Sequence, residues 1–448
     1  MMSQRWAEKK YLEQFYSKEG NQIVVVYGGY GIGKTALVRD FCTDKPYEYH
    51  LAASGSERQQ RYDWARELEE EGLELPDYPT YTQIWETQMR IITHKKVMII
   101  DEFQNLVKSS DSFMEELISF VKKGQSRQNM LVILCSSTVG WVENTMVSRI
   151  RHAAMELSGL LKLKPLPFRL LREQYPTYSI KECVALYGIT GGIPAYWSEF
   201  DEKKTLKDNI CDTILSPSGV LFHEAQRLVG EELRELAVYN TILSALAEGR
   251  FKLNDLYLHT GFSRAKISVY LRNLMELEIV EKIFSYDTEG RANTQKGIYR
   301  IRNPFVRFYY TFLYPHLGRL YTMETAAFYD RYIGKNLPTY ADSCFRDVCL
   351  EYVEMQHPLN KRGIWQGKQG RIDIVGIDGE KRTIAALCSF SKTVTSEDYE
   401  QFLLCLKKAK LEPEEILIFS GEGFDASVQA EERLNRLVHL ISAQQLTF

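Results

Sequence analysis

Eight consecutive residues, Gly28-Gly29-Tyr30-Gly31-Ile32-Gly33-Lys34-Thr35, constrain this chain more than any other stretch. They match the phosphate-loop pattern G-x-x-x-x-G-K-[ST], and the flanks suit it. The preceding run Ile23-Val24-Val25-Val26-Tyr27 is apolar and β-branched, which predicts a buried strand. The following run Ala36-Leu37-Val38-Arg39-Asp40-Phe41 predicts an opening helix. A glycine turn between strand and helix points backbone N–H groups inward, and the helix dipole favours an anion there. The pattern predicts that Gly28, Gly29, Tyr30, Gly31, Ile32, Gly33, Lys34, Thr35 and Ala36 cradle the phosphates of a nucleoside triphosphate. Lys34 would reach the β- and γ-phosphates, and the Thr35 hydroxyl would sit on Mg²⁺. A glycine-rich turn with a chance lysine is the competing reading, and the complete match in strand–loop–helix context weighs against it.

The second half of such a site needs acids at a strand end. Lys96-Val97-Met98-Ile99-Ile100-Asp101-Glu102-Phe103 supplies them, 67 residues after Lys34. Apolar residues ending in two acids read as a buried parallel strand whose C-terminal end enters a ligand crevice. Asp101 is expected to hold Mg²⁺ and Glu102 to orient and deprotonate the attacking water. A further strand, Met130 to Cys135, ends in Ser136-Ser137-Thr138. Ser137 is expected between the two acids, in reach of the γ-phosphate or the water, with helix capping as the equal alternative. Arg149 and Arg151 follow. Arg149 is the candidate for neutralising transition-state charge, and a surface arginine is the plainer explanation.

The chain has 448 residues, enough for about three domains. A net charge of −3 excludes a strongly basic protein, so any nucleic-acid contact must come from a local patch. The eight cysteines include no C-x-x-C pair, which argues against a zinc cluster or a disulfide framework. The N-terminus is polar, and no uncharged apolar run approaches membrane-spanning length. A cytoplasmic protein without membrane contact is expected.

Four regions follow. Residues 1–167 read as the nucleotide-binding α/β core, opened by an amphipathic helix from Arg5 to Tyr16 with Trp6, Leu12, Phe15 and Tyr16 as its apolar face. Residues 168–235 read as a helical lid bent at Tyr187-Gly188-Ile189-Thr190-Gly191-Gly192-Ile193-Pro194. Residues 236–314 read as a winged helix-turn-helix, its third helix starting at Ser263 and its wing strands near 280–285 and 297–301. That helix is expected to turn Arg264, Lys266, Ser268 and Arg272 toward double-stranded DNA. From Glu235 to Asn303 there are ten Lys and Arg against eight Asp and Glu, so the unit is weakly basic and a protein-binding role stands beside the DNA role. The aromatics from Phe305 to Tyr321 read as a linker packed on the lid. Residues 340–448 alternate helix and strand, with strands at 371–375, 383–390 and 415–419.

The whole resembles a family of prokaryotic, archaeal-type AAA+/STAND-like P-loop ATPases with a winged helix and a C-terminal PD-(D/E)XK nuclease-like domain. The likeness rests on the phosphate-loop motifs and the glycine bend. It rests also on Pro217-Ser218-Gly219-Val220-Leu221-Phe222-His223-Glu224-Ala225 and on Tyr299-Arg300-Ile301-Arg302-Asn303-Pro304-Phe305-Val306-Arg307-Phe308-Tyr309-Tyr310. The resemblance implies an α/β fold: a P-loop NTPase parallel sheet, a helical lid, a winged helix-turn-helix and a C-terminal α/β nuclease-like domain. It also implies ATP as the nucleotide. In such nucleases a helix glutamate, a strand aspartate and an E-x-K gather a divalent metal. Here Asp373 keeps the strand aspartate, while Arg346, Leu387 and Ser389 stand at the other positions. An inactive nuclease-like domain is expected. Two functions remain open: an ATP-hydrolysing switch that acts on DNA, and a non-catalytic ATP-binding scaffold that assembles with itself or with a protein partner.

Overall fold

The computed structural model describes residues 5–89, 95–123, 130–230, 233–284, 286 and 297–446. The chain divides into two compact units, Met1–Pro165 and Leu166–Phe448.

The first unit is built on five parallel strands: β1 (Gln22–Tyr27), β2 (Tyr47–Leu51), β3 (Lys96–Asp101), β4 (Met130–Ser136) and β5 (Gly159–Lys162). Their order across the sheet is β2-β3-β4-β1-β5. The middle strands β1, β3 and β4 are almost wholly buried, which is why they read as continuous apolar runs rather than alternating ones. Parallel neighbours need crossovers, and helices provide them. Trp64, Tyr81, Trp85, Phe103 and Phe113 fill one face, with Tyr81 stacked on Trp85 at 5.6 Å between ring centres. Because β4 lies between β1 and β3, the C-terminal ends of all three converge on one edge of the sheet. The helix Trp6–Tyr16 buries Leu12 and Phe15, but Trp6 is 66% exposed and is not part of the expected apolar face.

In the second unit the helices between Phe168 and Gly230 begin as their sequence suggests. Ser179 and Glu182 form a reciprocal capping box, and Pro194 opens the short helix after the glycine bend. Helices Leu236–Ala247, Leu253–Thr260 and Arg264–Glu276 form the tri-helical part of the winged unit. Gly261, at φ 72°, ends the second of these in the left-handed conformation that favours glycine, and Ser263 caps the third by accepting from Lys266 N. Strands β6 (Val280–Ile283) and β7 (Ile298–Ile301) pair antiparallel as the wing; the expected end of the first at Ser285 lies outside the described residues.

The aromatic stretch packs into the core, as expected. It is helical from Pro304, and Phe305, Phe308, Tyr309, Tyr310, Phe312 and Leu313 are buried. They share one apolar core with the 168–230 helices, the winged unit and the long helix Leu337–Gln356. The C-terminal sheet holds β8 (Leu359–Gly367), β9 (Gly370–Asp378), β10 (Thr383–Ser389), β11 (Glu415–Ser420) and β12 (Val438–Ser442), in the order β12-β11-β10-β9-β8. Strands β8 to β10 run antiparallel and β10 to β12 parallel. The sequence reading lacked β8 and β12. In β8 the polar run Asn360-Lys361-Arg362 hides the period of two, and register shifts interrupt its pairing. All eight cysteines are free thiols, and only Cys388 is not fully buried.

Candidate nucleotide site

The loop after β1 is shaped by its glycines. Gly31 (φ 71°) and Gly33 (φ 97°) take the left-handed conformation, and Gly28 has its Cα so close to Leu163 that a Cβ would lie 2.9 Å from the Leu163 carbonyl oxygen. Gly28 N donates to Ser136 O at 3.2 Å, tying the loop to the end of β4. The N–H groups of Gly31, Gly33, Lys34 and Thr35 have no acceptor among the described residues, as the first turn of a helix requires. A set of inward N–H groups around one ammonium is a donor set that fits phosphate oxygens.

Lys34 is 6% exposed, and its Nζ donates to Gly28 O at 2.9 Å and Gly29 O at 3.3 Å. Burial lowers its pKa, and the nearby Glu102 and Asp101 carboxylates work the other way. The Thr35 hydroxyl donates to Asp101 Oδ2 at 3.0 Å. A carboxylate and a hydroxyl in contact are the usual protein share of a Mg²⁺ shell completed by phosphate oxygens and water. Thr35 and Asp101 are the side chains that would share a Mg²⁺ ion with a bound nucleotide.

The two acids are held apart. Asp101 Oδ1 accepts from Glu102 N at 3.0 Å, while Glu102 itself stands at φ 53°. A left-handed glutamate costs about 1–3 kcal/mol and persists only where its surroundings fix it. They do: Glu102 Oε2 accepts from Ser137 Oγ at 2.7 Å, Ser137 N at 3.2 Å and Gln104 Nε2 at 2.5 Å. Ser137 therefore lies beside Glu102 rather than capping a helix. Its hydroxyl is directed at the glutamate.

Three contributors escaped the sequence reading. Tyr49 on β2 donates its hydroxyl to Asp101 Oδ2 at 2.7 Å, and burial with that contact raises its pKa, keeping the phenol protonated. Gln104 holds Glu102. Arg5 donates from Nη2 to Ile32 O at 3.0 Å, bracing the loop from the N-terminal helix. Arg149 closes the helix Met146–Ile150 and pairs with Asp111 at 2.6 Å, exposed on the surface.

In the winged unit, Arg264, Ser268 and Arg272 share a face, but at about 100° per residue Lys266 points well away from it. Arg264 donates to Asn254 Oδ1 and lies 4.0 Å over the Tyr257 ring, and the Ser268 hydroxyl donates back to Arg264 O. The four expected residues do not converge on one surface.

Residues 3–200 match the family model described as an ATPase domain predominantly from Archaea. That match spans the N-terminal unit and runs on to residue 200. Residues 240–282 match the model of the bacterial regulatory protein, arsR family, a helix-turn-helix that coincides with the winged unit. An uncharacterized protein of Methanocaldococcus jannaschii is 26% identical over 95% of this chain and 100% of its own length. Among solved structures, the Walker-type ATPase of Pyrococcus abyssi is 15% identical at a TM-score of 0.47, covering 68% of this chain and 95% of that one. The Aeropyrum pernix ORC2 protein in its ADPNP–ADP complexes is 14% identical at 0.46, covering 68% and 92%. Outside the ATPase domain, Asp373, Arg346, Leu387 and Ser389 offer one carboxylate and do not fit a catalytic metal. No helix among the described residues is long and apolar enough to cross a membrane.

Proposed function

We propose that the chain is a nucleotide-driven switch that binds ATP with Mg²⁺ at Gly28–Ala36 and Asp101, hydrolyses it with Glu102, and acts on duplex DNA through the winged unit. The observation that carries this reading is the division of labour between adjacent acids: Asp101 bonded to Thr35, and Glu102 clamped by Ser137 and Gln104. Bound Mg²⁺ would polarise the phosphates. The chain's own groups would do the rest. The loop N–H groups orient the triphosphate and Lys34 neutralises its charge. Glu102 accepts a proton from the attacking water at its carboxylate, and Ser137 fixes which way that carboxylate faces. In this reading Arg149 exchanges Asp111 for the nucleotide of a second copy. The C-terminal sheet serves as a nuclease-like module without nuclease chemistry.

ATP turnover tests it. Lys34→Ala should abolish nucleotide binding and turnover together. Glu102→Gln should keep binding and lose about 10²–10⁴-fold in turnover. Wild-type protein that binds ATP tightly without hydrolysing it would overturn the switch and leave the scaffold. For the DNA arm, affinity for duplex should fall with log[salt] at about −0.9 per phosphate neutralised, and removing Arg264 or Arg272 should lower that slope by about 1 each. Absence of binding at low salt would sink the DNA role.

A further inference from the structure

The segment that follows β2 holds a groove of about 710 Å³, at the carboxyl edge where open α/β sheets take their ligands. One wall is the helix Glu57–Glu70, on which Arg58, Arg61 and Tyr62 share a face at i, i+3 and i+4. The other wall is Asp77-Tyr78-Pro79, the loop that leads into the helix Tyr81–Met89. Contacts join the walls. The Arg58 guanidinium lies 4.7 Å from the centre of the Tyr78 ring. Arg61 donates from Nη1 to Pro79 O at 3.5 Å and lies 5.9 Å from the centre of the Tyr81 ring. Tyr81 itself is buried against Trp64 and Trp85, whereas Tyr62 is 52% exposed and Tyr78 72%.

The helix that carries these groups is fixed from behind. Gln60, 3% exposed, donates from Nε2 to Ala53 O at 2.7 Å and accepts from Ser109 Oγ at 2.8 Å. Asn105 Nδ2 donates to Ala52 O at 2.9 Å, and Ser56 caps the helix by accepting from Gln59 N at 3.3 Å. The groove is therefore held in shape by buried hydrogen bonds, while its own aromatic faces stay open to solvent.

Two open tyrosine rings supply flat faces, and the arginines supply positive charge beside them. Glu57 stands 3.7 Å from Arg61 Nε, so Arg58, together with the positive end of its helix, is the part of the wall most receptive to phosphate. This combination selects among occupants. The bases of a duplex are stacked on one another and offer no free face, and an acidic peptide has charge but no ring to lay on a tyrosine. A single strand has both.

We propose that the groove binds single-stranded nucleic acid, with bases stacked on Tyr62 and Tyr78 and the backbone phosphates held by Arg58 and Arg61. This site stands apart from ATP hydrolysis and from the winged unit, and its test needs neither.

The full chain, saturated with ADP and Mg²⁺, is titrated against a short fluorescein-labelled oligothymidylate and followed by anisotropy. Tyr78→Ala should lose about ten-fold or more in affinity, the scale of one base stacked on one ring. Tyr78→Phe should bind as the wild type does, because the ring remains. Arg58→Gln should lower the slope of log affinity against log[salt] by about 0.7, the share of one phosphate on a single strand. Both positions are exposed, so each variant should keep the wild-type melting temperature. An abasic strand of the same length should bind the wild type more weakly and respond little to Tyr78→Ala. A wild type that binds no strand at low salt overturns the proposal, as does unchanged binding in both Tyr78→Ala and Arg58→Gln. Equal affinity for the abasic strand would remove the stacking. Polyglutamate that displaces the oligothymidylate at equal charge would assign the groove to an acidic protein instead. A protein that turns over ATP yet fails to bind the strand loses this site alone.

Discussion

Asp101 receives two hydroxyl hydrogen bonds on one oxygen, from Thr35 and from Tyr49. Only the first was legible in the sequence, because Thr35 belongs to a local motif whose spacing encodes its job. Tyr49 lies on a neighbouring strand, and the pairing that carries it to Asp101 is set by the sheet register, Leu51 opposite Asp101. No spacing rule announces that. The same holds for Arg5, which reaches Ile32 from a separate helix. Since the phenol holds the carboxylate in the direction Thr35 also faces, Tyr49→Phe should leave ATP binding without metal unchanged. It should raise the Mg²⁺ concentration needed for half-maximal turnover by about ten-fold, the scale of one lost hydrogen bond to a charged group. An unshifted Mg²⁺ dependence would show that Tyr49 is packing only.

At the scale of elements, the winged helix and the strand–loop–helix were readable because turn glycines, caps and apolar periods agree within each segment. What periodicity does not report is which elements share a core. The helix Leu337–Gln356 is bound to the start of the 168–190 helices by Glu351, whose carboxylate accepts from Phe168 N at 2.9 Å and from the Tyr187 hydroxyl. Burial raises the Glu351 pKa to about 7, against the pull of both hydrogen bonds. The folded unit therefore holds this proton more tightly than the unfolded chain. Its contribution to stability is complete below about pH 4.5 and is lost as pH rises to about 7, by roughly 3 kcal/mol at most. Glu351→Gln should flatten the melting temperature of the second unit across that window. A variant that keeps the wild-type slope would place the titration elsewhere.

For the whole molecule, the four regions drawn from sequence meet a different division in the structure. One continuous core runs from Leu166 to Leu446, through helices, winged unit and one face of the C-terminal sheet. The other face of that sheet packs a second cluster around Phe402 and Ile418, and the first unit has a core of its own. A shared core melts as one. Calorimetry should give a single transition for residues 166–448, with no separate melting of the winged unit; a distinct early transition from the wing would contradict the shared core.

The buried thiols turn this into a chemical record. Cys42 and Cys135 belong to the first unit, and the other six to the second. A thiol-specific alkylating reagent reaches a fully buried cysteine only after the structure around it opens. Brief exposure during heating, followed by peptide mass mapping, would stamp each molecule with the unit that came apart first. The chain carries its own labels, and no engineered probe is needed to read the order of unfolding.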